Sequence, residues 1–262
     1  MRHIFMFFLL TAGASATDMI SIPAGSFVMG CSPTDKQCER DEKPALSVDV
    51  PAFLIDSREV TVADYRACVE RKQCQAPKTH ARNKYCNYDA PGRDTHPINC
   101  IDWANAKQFC ALQGKRLPQE AEWEKAARAG SRTRYAWGET LTCKQAIAND
   151  GKTTGSVKGE LDGCGEDRSW PVASRAPNAW GLYDMHGNTG EWIVNFYAPD
   201  AIAHYAKGEL DYPKHSEQKV VRGGSWDEKM KNLRNSFRNS KLPVSGDTVY
   251  GSIGFRCVKS SR

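Results

Sequence analysis

Ten cysteines are distributed between residues 31 and 257, and they constrain this chain more than any other feature. They are Cys31, Cys38, Cys68, Cys74, Cys86, Cys100, Cys110, Cys143, Cys164 and Cys257. No two are spaced C-x-x-C, which excludes a thioredoxin-type redox motif and the paired knuckles of a structural zinc site. All follow an N-terminal stretch in which Met1-Arg2-His3 precedes an apolar run from Ile4 to Leu10 and Ala14-Ser15-Ala16 gives an A-x-A pattern. Such a stretch reads as a cleavable secretory signal over residues 1–16, too short for a membrane span of about 20 apolar residues. A periplasmic or secreted location is therefore expected, and outside the cytosol an even set of thiols is expected to be oxidised. Short-range pairs such as Cys31 with Cys38 and Cys68 with Cys74 can close surface loops.

Composition limits the partners. Of 262 residues, 40% are hydrophobic and 26% charged, an ordinary globular mixture that argues against disorder, and the mean hydropathy of −0.59 argues against a polytopic membrane protein. The formal charge is +5, 36 basic minus 31 acidic side chains. The two signs are interleaved with no basic block, so no nucleic-acid partner is expected.

Apolar patterning predicts strands over Met19 to Gly30 and Val48 to Ile55, with Pro51 at an edge or bend. Helices are predicted over Val62 to Arg71 behind Thr61, after Asp102 with Trp103, Ala106, Phe109 and Cys110 on one face, and over Gln119 to Arg128 between Pro118 and Gly130. From Gly130 to Ala179 the sequence is rich in Gly, Asn, Asp, Ser and Thr with little periodicity, so ions or disulfides are candidates to order it. Short strands are expected at Glu191 to Tyr197, Lys219 to Val221 and Ile253 to Val258. Early helices and strands at both ends predict one α+β domain over residues 17–262 whose termini pair.

The segment Gly114-Lys115-Arg116-Leu117-Pro118-Gln119-Glu120-Ala121-Glu122-Trp123-Glu124 closely resembles one in the formylglycine-generating enzyme, or sulfatase-modifying factor, family. Also similar are Ile22-Pro23-Ala24-Gly25, Phe27-Val28-Met29-Gly30, Glu59-Val60-Thr61 with Tyr65, Ile101-Asp102-Trp103 and Tyr135-Ala136-Trp137-Gly138. The series continues through Gly181-Leu182-Tyr183-Asp184-Met185, Gly187-Asn188, Glu191-Trp192, Arg222-Gly223-Gly224-Ser225-Trp226 and Gly254-Phe255-Arg256-Cys257. The resemblance implies a C-type-lectin-like α+β domain with little regular structure and a groove on one surface. It implies a bridge between Cys110 and Cys257; proximity and elimination then pair Cys86 with Cys100 and Cys143 with Cys164. Trp103, Trp123, Trp137, Trp192 and Trp226 read as core anchors whose ring nitrogens need partners.

The same resemblance implies two calcium sites. Asn149, Asp150, Asp162 and Cys164 occupy the positions of one, through side chains and main-chain carbonyls; Asp184, Gly187, Thr189 and Glu191 resemble the other. Hard carboxylate and carbonyl oxygens at short intervals suit calcium, although Asp-Gly pairs such as Asp162-Gly163 also serve as plain turns.

Catalytic family members bind copper(I) through a Cys-x-x-x-x-Cys pair just after Gly-Gly-Ser, where soft thiolates select a soft ion. Here Trp226 to Arg234 contains no cysteine, and Gly190 stands where the family has a groove tryptophan. No copper is therefore expected, and no catalytic residue is assigned. Ser225, Trp226, Glu228, Arg234, Arg238 and Arg256 are candidates to line the groove, against the commoner role of charged residues as a solvated face.

Other catalytic patterns are weak: Gly151-Lys152-Thr153 lacks the first glycine of a phosphate loop, and His80, His96, His186, His204 and His215 are scattered. The expected function is a calcium-stabilised binding or accessory module whose groove takes a polypeptide or small-molecule ligand. The alternative is an oxidoreductase with a different site, as in periplasmic siderophore maturation, and less so formylglycine generation itself.

Overall fold

A computed structural model describes residues 18–77, 83–150, 164, 168–243 and 250–261, so the candidate signal segment and Asp162 lie outside the described residues. The chain starts with β1 (Met19–Ile22) and β2 (Gly25–Met29), turns at Gly30, and continues through β3 (Leu46–Val50) and β4 (Phe53–Asp56). Pro51 falls between β3 and β4, where its missing N–H interrupts no ladder. Helix α1 (Val62–Glu70) starts at Thr61, whose hydroxyl accepts from the Asp64 N–H while Asp64 accepts from the Thr61 N–H. Helix α2 (Trp103–Leu112) is capped by Asp102, which accepts from the Asn105 N–H. Helix α3 (Glu120–Arg128) ends at Ala129 in the left-handed region with Gly130 behind it.

Regular structure is then absent from the described residues up to β5 (Gly190–Phe196), as the unpatterned composition predicts. A short helix α4 (Ala201–Tyr205) leads to β6 (Lys219–Arg222), β7 (Asn239–Lys241), β8 (Ile253–Gly254) and β9 (Val258–Ser260). Mixed helix and sheet in separate blocks make the fold α+β.

Three sheets result. β4 lies between β1 and β9, so the two terminal strands share a sheet through β4; β2 pairs only with β3; and β5 joins β6 antiparallel and β8 parallel in the order β7-β6-β5-β8. The single strand expected over Ile253 to Val258 is in fact two, in different sheets. Between them Cys257 is bonded to Cys110, Val60 donates to the Phe255 carbonyl, and Arg256 turns inward.

Two main apolar clusters meet at β5, which gives Ile193 to one and Trp192 to the other. One gathers β1 to β4, α3, α4 and Val258 of β9 around Trp123 and Ile193; the other gathers α1, α2, Val221 of β6 and Ile253 of β8 around Trp192 and Phe255. Four anchor tryptophans find ring-nitrogen partners: Trp103 donates to Ile193 O, Trp123 to Glu191, Trp192 to Ile101 O and Trp226 to Gly251 O. Cross-links join Cys31–Cys38, Cys68–Cys74, Cys86–Cys100, Cys110–Cys257 and Cys143–Cys164, leaving no free cysteine.

Candidate functional site

The turn before β5 is wound tightly enough to turn its polar groups inward. Asp184 and Asn188 have φ of 55° and 60°, a conformation that short polar side chains tolerate, and Gly187 has φ of 87°. A Cβ at Gly187 would overlap the Ile147 carbonyl oxygen, so the close approach there requires glycine. Wound this way, the turn wraps the buried Glu59 carboxylate: Asn188 Nδ2 donates to it at 2.6 Å, Thr189 N at 2.9 Å and Thr189 Oγ1 at 2.5 Å. Asp184 Oδ2 accepts from the Ala173 N–H at 2.6 Å.

Glu191, the first β5 residue after Gly190, faces Arg256. Its carboxylate accepts from Arg256 Nε at 2.8 and 2.9 Å and from Trp123 Nε1 at 2.8 Å. The other guanidinium nitrogens of Arg256 donate to the carbonyls of Tyr183 and Asp56. Arg256 is thus the guanidinium shared by an acidic group of Glu59, Asp184 and Glu191. Burial, with the charges of Asp184 and Glu191 added, raises the Glu59 carboxyl well above the usual range. Burial likewise pushes Asp184 up to about 6. Burial opposes the charge on Arg256, yet the attraction of Glu191 outweighs it and raises the guanidinium. An interior with more acid than base would be relieved by a hard cation, although among the described residues Glu59, Asp184 and Glu191 do not bring three carboxylate oxygens close enough together to hold one ion by themselves. Glu191 is also less free to bind one, because both its oxygens already hold hydrogen bonds.

At the other predicted site the Asn149 N–H donates to Glu228 O at 3.0 Å, and Asp150 Oδ2 lies 3.8 Å from Cys143 Sγ. Cys143, Asp150 and Cys164 come together, but both sulfurs belong to one disulfide and offer no thiolate. Asp35, Cys38 and Glu42 form a comparable group, in which Arg234 takes the place of a cation: it donates to Asp35 at 2.8 Å and to Glu42 at 2.6 and 2.7 Å.

The groove candidates divide. Arg234, Arg238 and Arg256 do not line a surface; all three are buried, Arg234 on Asp35 and Glu42, Arg238 on Glu120 at 2.7 and 3.0 Å, and Arg256 on Glu191. A buried guanidinium requires a carboxylate partner, and each arginine has one. Ser225 and Trp226 are buried as well: Ser225 accepts from the Asp227 N–H, and Trp226 packs on Tyr85 with ring centroids 4.9 Å apart. Glu228 is half-buried, accepts from Asn239 Nδ2 at 3.1 Å, and burial raises its carboxyl. Of the six, only Glu228 is partly exposed, between exposed Asp227 and Lys229. Met230, the soft side chain of this loop, packs with Tyr135 and Leu233 in a third apolar cluster. A Cβ at Gly190 would lie 2.9 Å from Val221 Cγ1, so β6 packs directly over this position.

His186 is a packing residue. Its Nδ1–H donates to Leu233 O at 2.6 Å, its Nε2 accepts from the Ala136 N–H, and burial lowers it to about 4. Glu59, which organises the turn, received no role from the sequence. Its partners lie about 130 residues away, and the signal that could have found it was an acid immediately before an apolar helix start, at Glu59-Val60-Thr61.

Residues 9–261 match the family described as the sulfatase-modifying factor enzyme 1-like domain. The formylglycine-generating enzyme of Mus musculus is 31% identical over 300 residues, covering 95% of this chain and 77% of that protein. A Mus musculus relative named inactive C-alpha-formylglycine-generating enzyme 2 is 28% identical, covering 93% of this chain and 86% of that protein. The serine/threonine-protein kinase pkn1 of Chlamydia caviae is 30% identical over 93% of this chain, which spans 38% of that longer protein. Among solved structures, PvdO from Pseudomonas aeruginosa superposes with a TM-score of 0.74 at 26% identity, over 93% of this chain and 94% of that one.

Proposed function

This chain belongs to the sulfatase-modifying factor family, and from that premise we propose that it is a periplasmic or secreted, calcium-stabilised binding or accessory module. Its ligand is a polypeptide or small molecule held at the family's groove, around Glu228. One observation carries this reading: all ten cysteines are spent in disulfides, and the Trp226 to Arg234 loop contributes no thiolate. Copper(I) chemistry on a substrate thiol needs soft charged ligands, which a carboxylate and a packed thioether do not replace. A relative whose name calls it inactive is consistent with a family member that keeps the fold without the oxidase reaction. Five disulfides suit an oxidising compartment, and no helix among the described residues is long and apolar enough to cross a membrane. Calcium at Asp184, Gly187, Thr189 and Glu191 would neutralise the acidic interior and hold the turn before β5 in place.

Purified protein incubated with copper, a reductant, oxygen and a Cys-x-Pro-x-Arg peptide should leave the peptide mass unchanged. Immobilised protein should retain a partner from a periplasmic extract, and Glu228→Lys should release it. Multiple-turnover loss of the mass difference between cysteine and formylglycine would reject this reading. A second reading, an oxidoreductase with other ligands, is favoured by the likeness to enzymes named formylglycine-generating. Oxygen consumption dependent on a candidate substrate would select it.

A further inference from the structure

Away from the Ser225 to Glu228 segment, a pocket of about 410 Å³ opens between the Pro23 to Val28 stretch and the end of α3. Its walls include Phe27, Lys125, Arg128, Arg132 and Trp180. Its size is in the range of small-molecule sites, roughly 300–1,000 Å³. The local fold leaves it open. Gly25 and Gly130 both line it at positive φ, and a Cβ at either would meet nothing within 4 Å.

Lys125, on the floor, has no ion pair with a carboxylate among the described residues. Lys125 is 5% exposed, and its ammonium donates to the carbonyls of Pro23 at 2.7 Å and Gly25 at 2.8 Å. An ammonium has three donors and no acceptor, so one donor remains beyond these two carbonyls. Burial lowers this ammonium below the usual lysine range, only partly offset by Asp49, which is exposed and hydrogen-bonded to Ser26. Arg128 is already neutralised by Glu124, which also holds Arg222. The carbonyls of Lys125 and Arg128 at the end of α3 are taken by the N–H groups of Ala129 and Ser131, so they offer no competing acceptor to the pocket. Arg132 is exposed and has no ion-pair partner among the described residues. Phe27 and Trp180 are partly buried against the core, presenting apolar surface beside these two cations.

We propose that this pocket binds a small amphipathic anion, an aryl or alkyl carboxylate, with its charged head on Lys125 and Arg132 and its apolar body against Phe27 and Trp180. A neutral acceptor could take the third Lys125 donor but would leave the charges of Lys125 and Arg132 uncompensated, and a purely ionic ligand would leave the apolar walls wet. A carboxylate on an apolar stem satisfies both.

Titration calorimetry of the full chain with 3-phenylpropionate, decanoate and the neutral 3-phenylpropanol tests this. The acids should bind, and 3-phenylpropionate should exceed the alcohol by roughly tenfold or more, the share a charge-assisted hydrogen bond supplies. Arg132→Glu, at an exposed position that leaves the fold intact, should weaken both acids and leave the alcohol unchanged. Lys125→Met should abolish the preference for acid over alcohol, with circular dichroism checking that it folds. No binding of either acid up to about 10 mM, a generous limit for ligands of this size, would overturn the proposal. Equal affinity for acid and alcohol, or unchanged acid binding in Arg132→Glu, would overturn it equally.

Discussion

Arg256 Nη2 lies 2.7 Å from Glu191 Oε1 with both side chains sealed from solvent, and this ion pair ties the start of strand β5 to the segment between β8 and β9. Trp123 closes the other side of the same carboxylate, so helix, sheet and C-terminal segment meet at one charge. Removing one partner of such a pair strands the other in the interior. Glu191→Gln should therefore cost about 3–5 kcal/mol in denaturant unfolding. A loss below about 1 kcal/mol, the worth of an exposed pair, would show that the pair is not what holds these elements together.

Calcium should stabilise the protein by mass action, by about 2.7 kcal/mol at a hundredfold excess over its dissociation constant. The raised Asp184 carboxyl shows that its charge is a burden in the interior without a cation. Asp184→Asn should accordingly be as stable as the parent in excess chelator, yet fail to gain stability in calcium. Identical parent melting temperatures in calcium and chelator, with no metal by elemental analysis, would remove calcium from the account.

The Cys110–Cys257 bridge spans 147 residues. Replacing both cysteines by alanine should cost roughly 3–5 kcal/mol, in the picture where a cross-link limits the entropy of the unfolded chain. The unfolded, unreduced parent should show no titratable thiol; two or more free thiols would contradict the five-bridge pattern.

Lys219 gives a test at alkaline pH. Its ammonium lies 3.9 Å from the Trp103 ring centre and close to Phe196, and burial, with the charge of Lys107, lowers it to about 8 from an ordinary 10.5. Below pH 8 both folded and unfolded chains carry this proton, and the burden of the buried charge is fully present. Between about 8 and 10.5 the folded chain releases the proton and the unfolded chain keeps it, so the unfolded state binds more protons and stability rises with pH. Relative to Lys219→Met, the parent should therefore gain stability from pH 8 to 10. A constant gap over that range, measured by urea unfolding, would refute the assignment.

Local signals carried much of the fold. Thr61, Asp102 and the Pro118 to Gly130 interval mark the three longer helices to within a residue or two, because capping and helix termination are contests among neighbours in the chain. The break between β8 and β9 was not legible: Ile253, Phe255, Cys257 and Val258 read as one short strand, and it is the long-range hold of Glu191 on Arg256, of Cys110 on Cys257 and of Val60 on the Phe255 carbonyl that turns the chain there.

Residue chemistry alone determined that no thiolate pair follows Gly-Gly-Ser, since that needs only the identities of residues 226–234. Whether an arginine faces a groove or the interior was decided by tertiary structure. Arg234, Arg238 and Arg256 meet Glu42, Glu120 and Glu191 across 192, 118 and 65 residues of chain. The same long-range closure gathers Asn188, Thr189 and Glu59 into one network and leaves Lys125 over a pocket without a carboxylate. A charged side chain is stable in water or beside a buried opposite charge, and its own sequence is compatible with both. The choice depends on which distant carboxylate the folded backbone brings within hydrogen-bond reach.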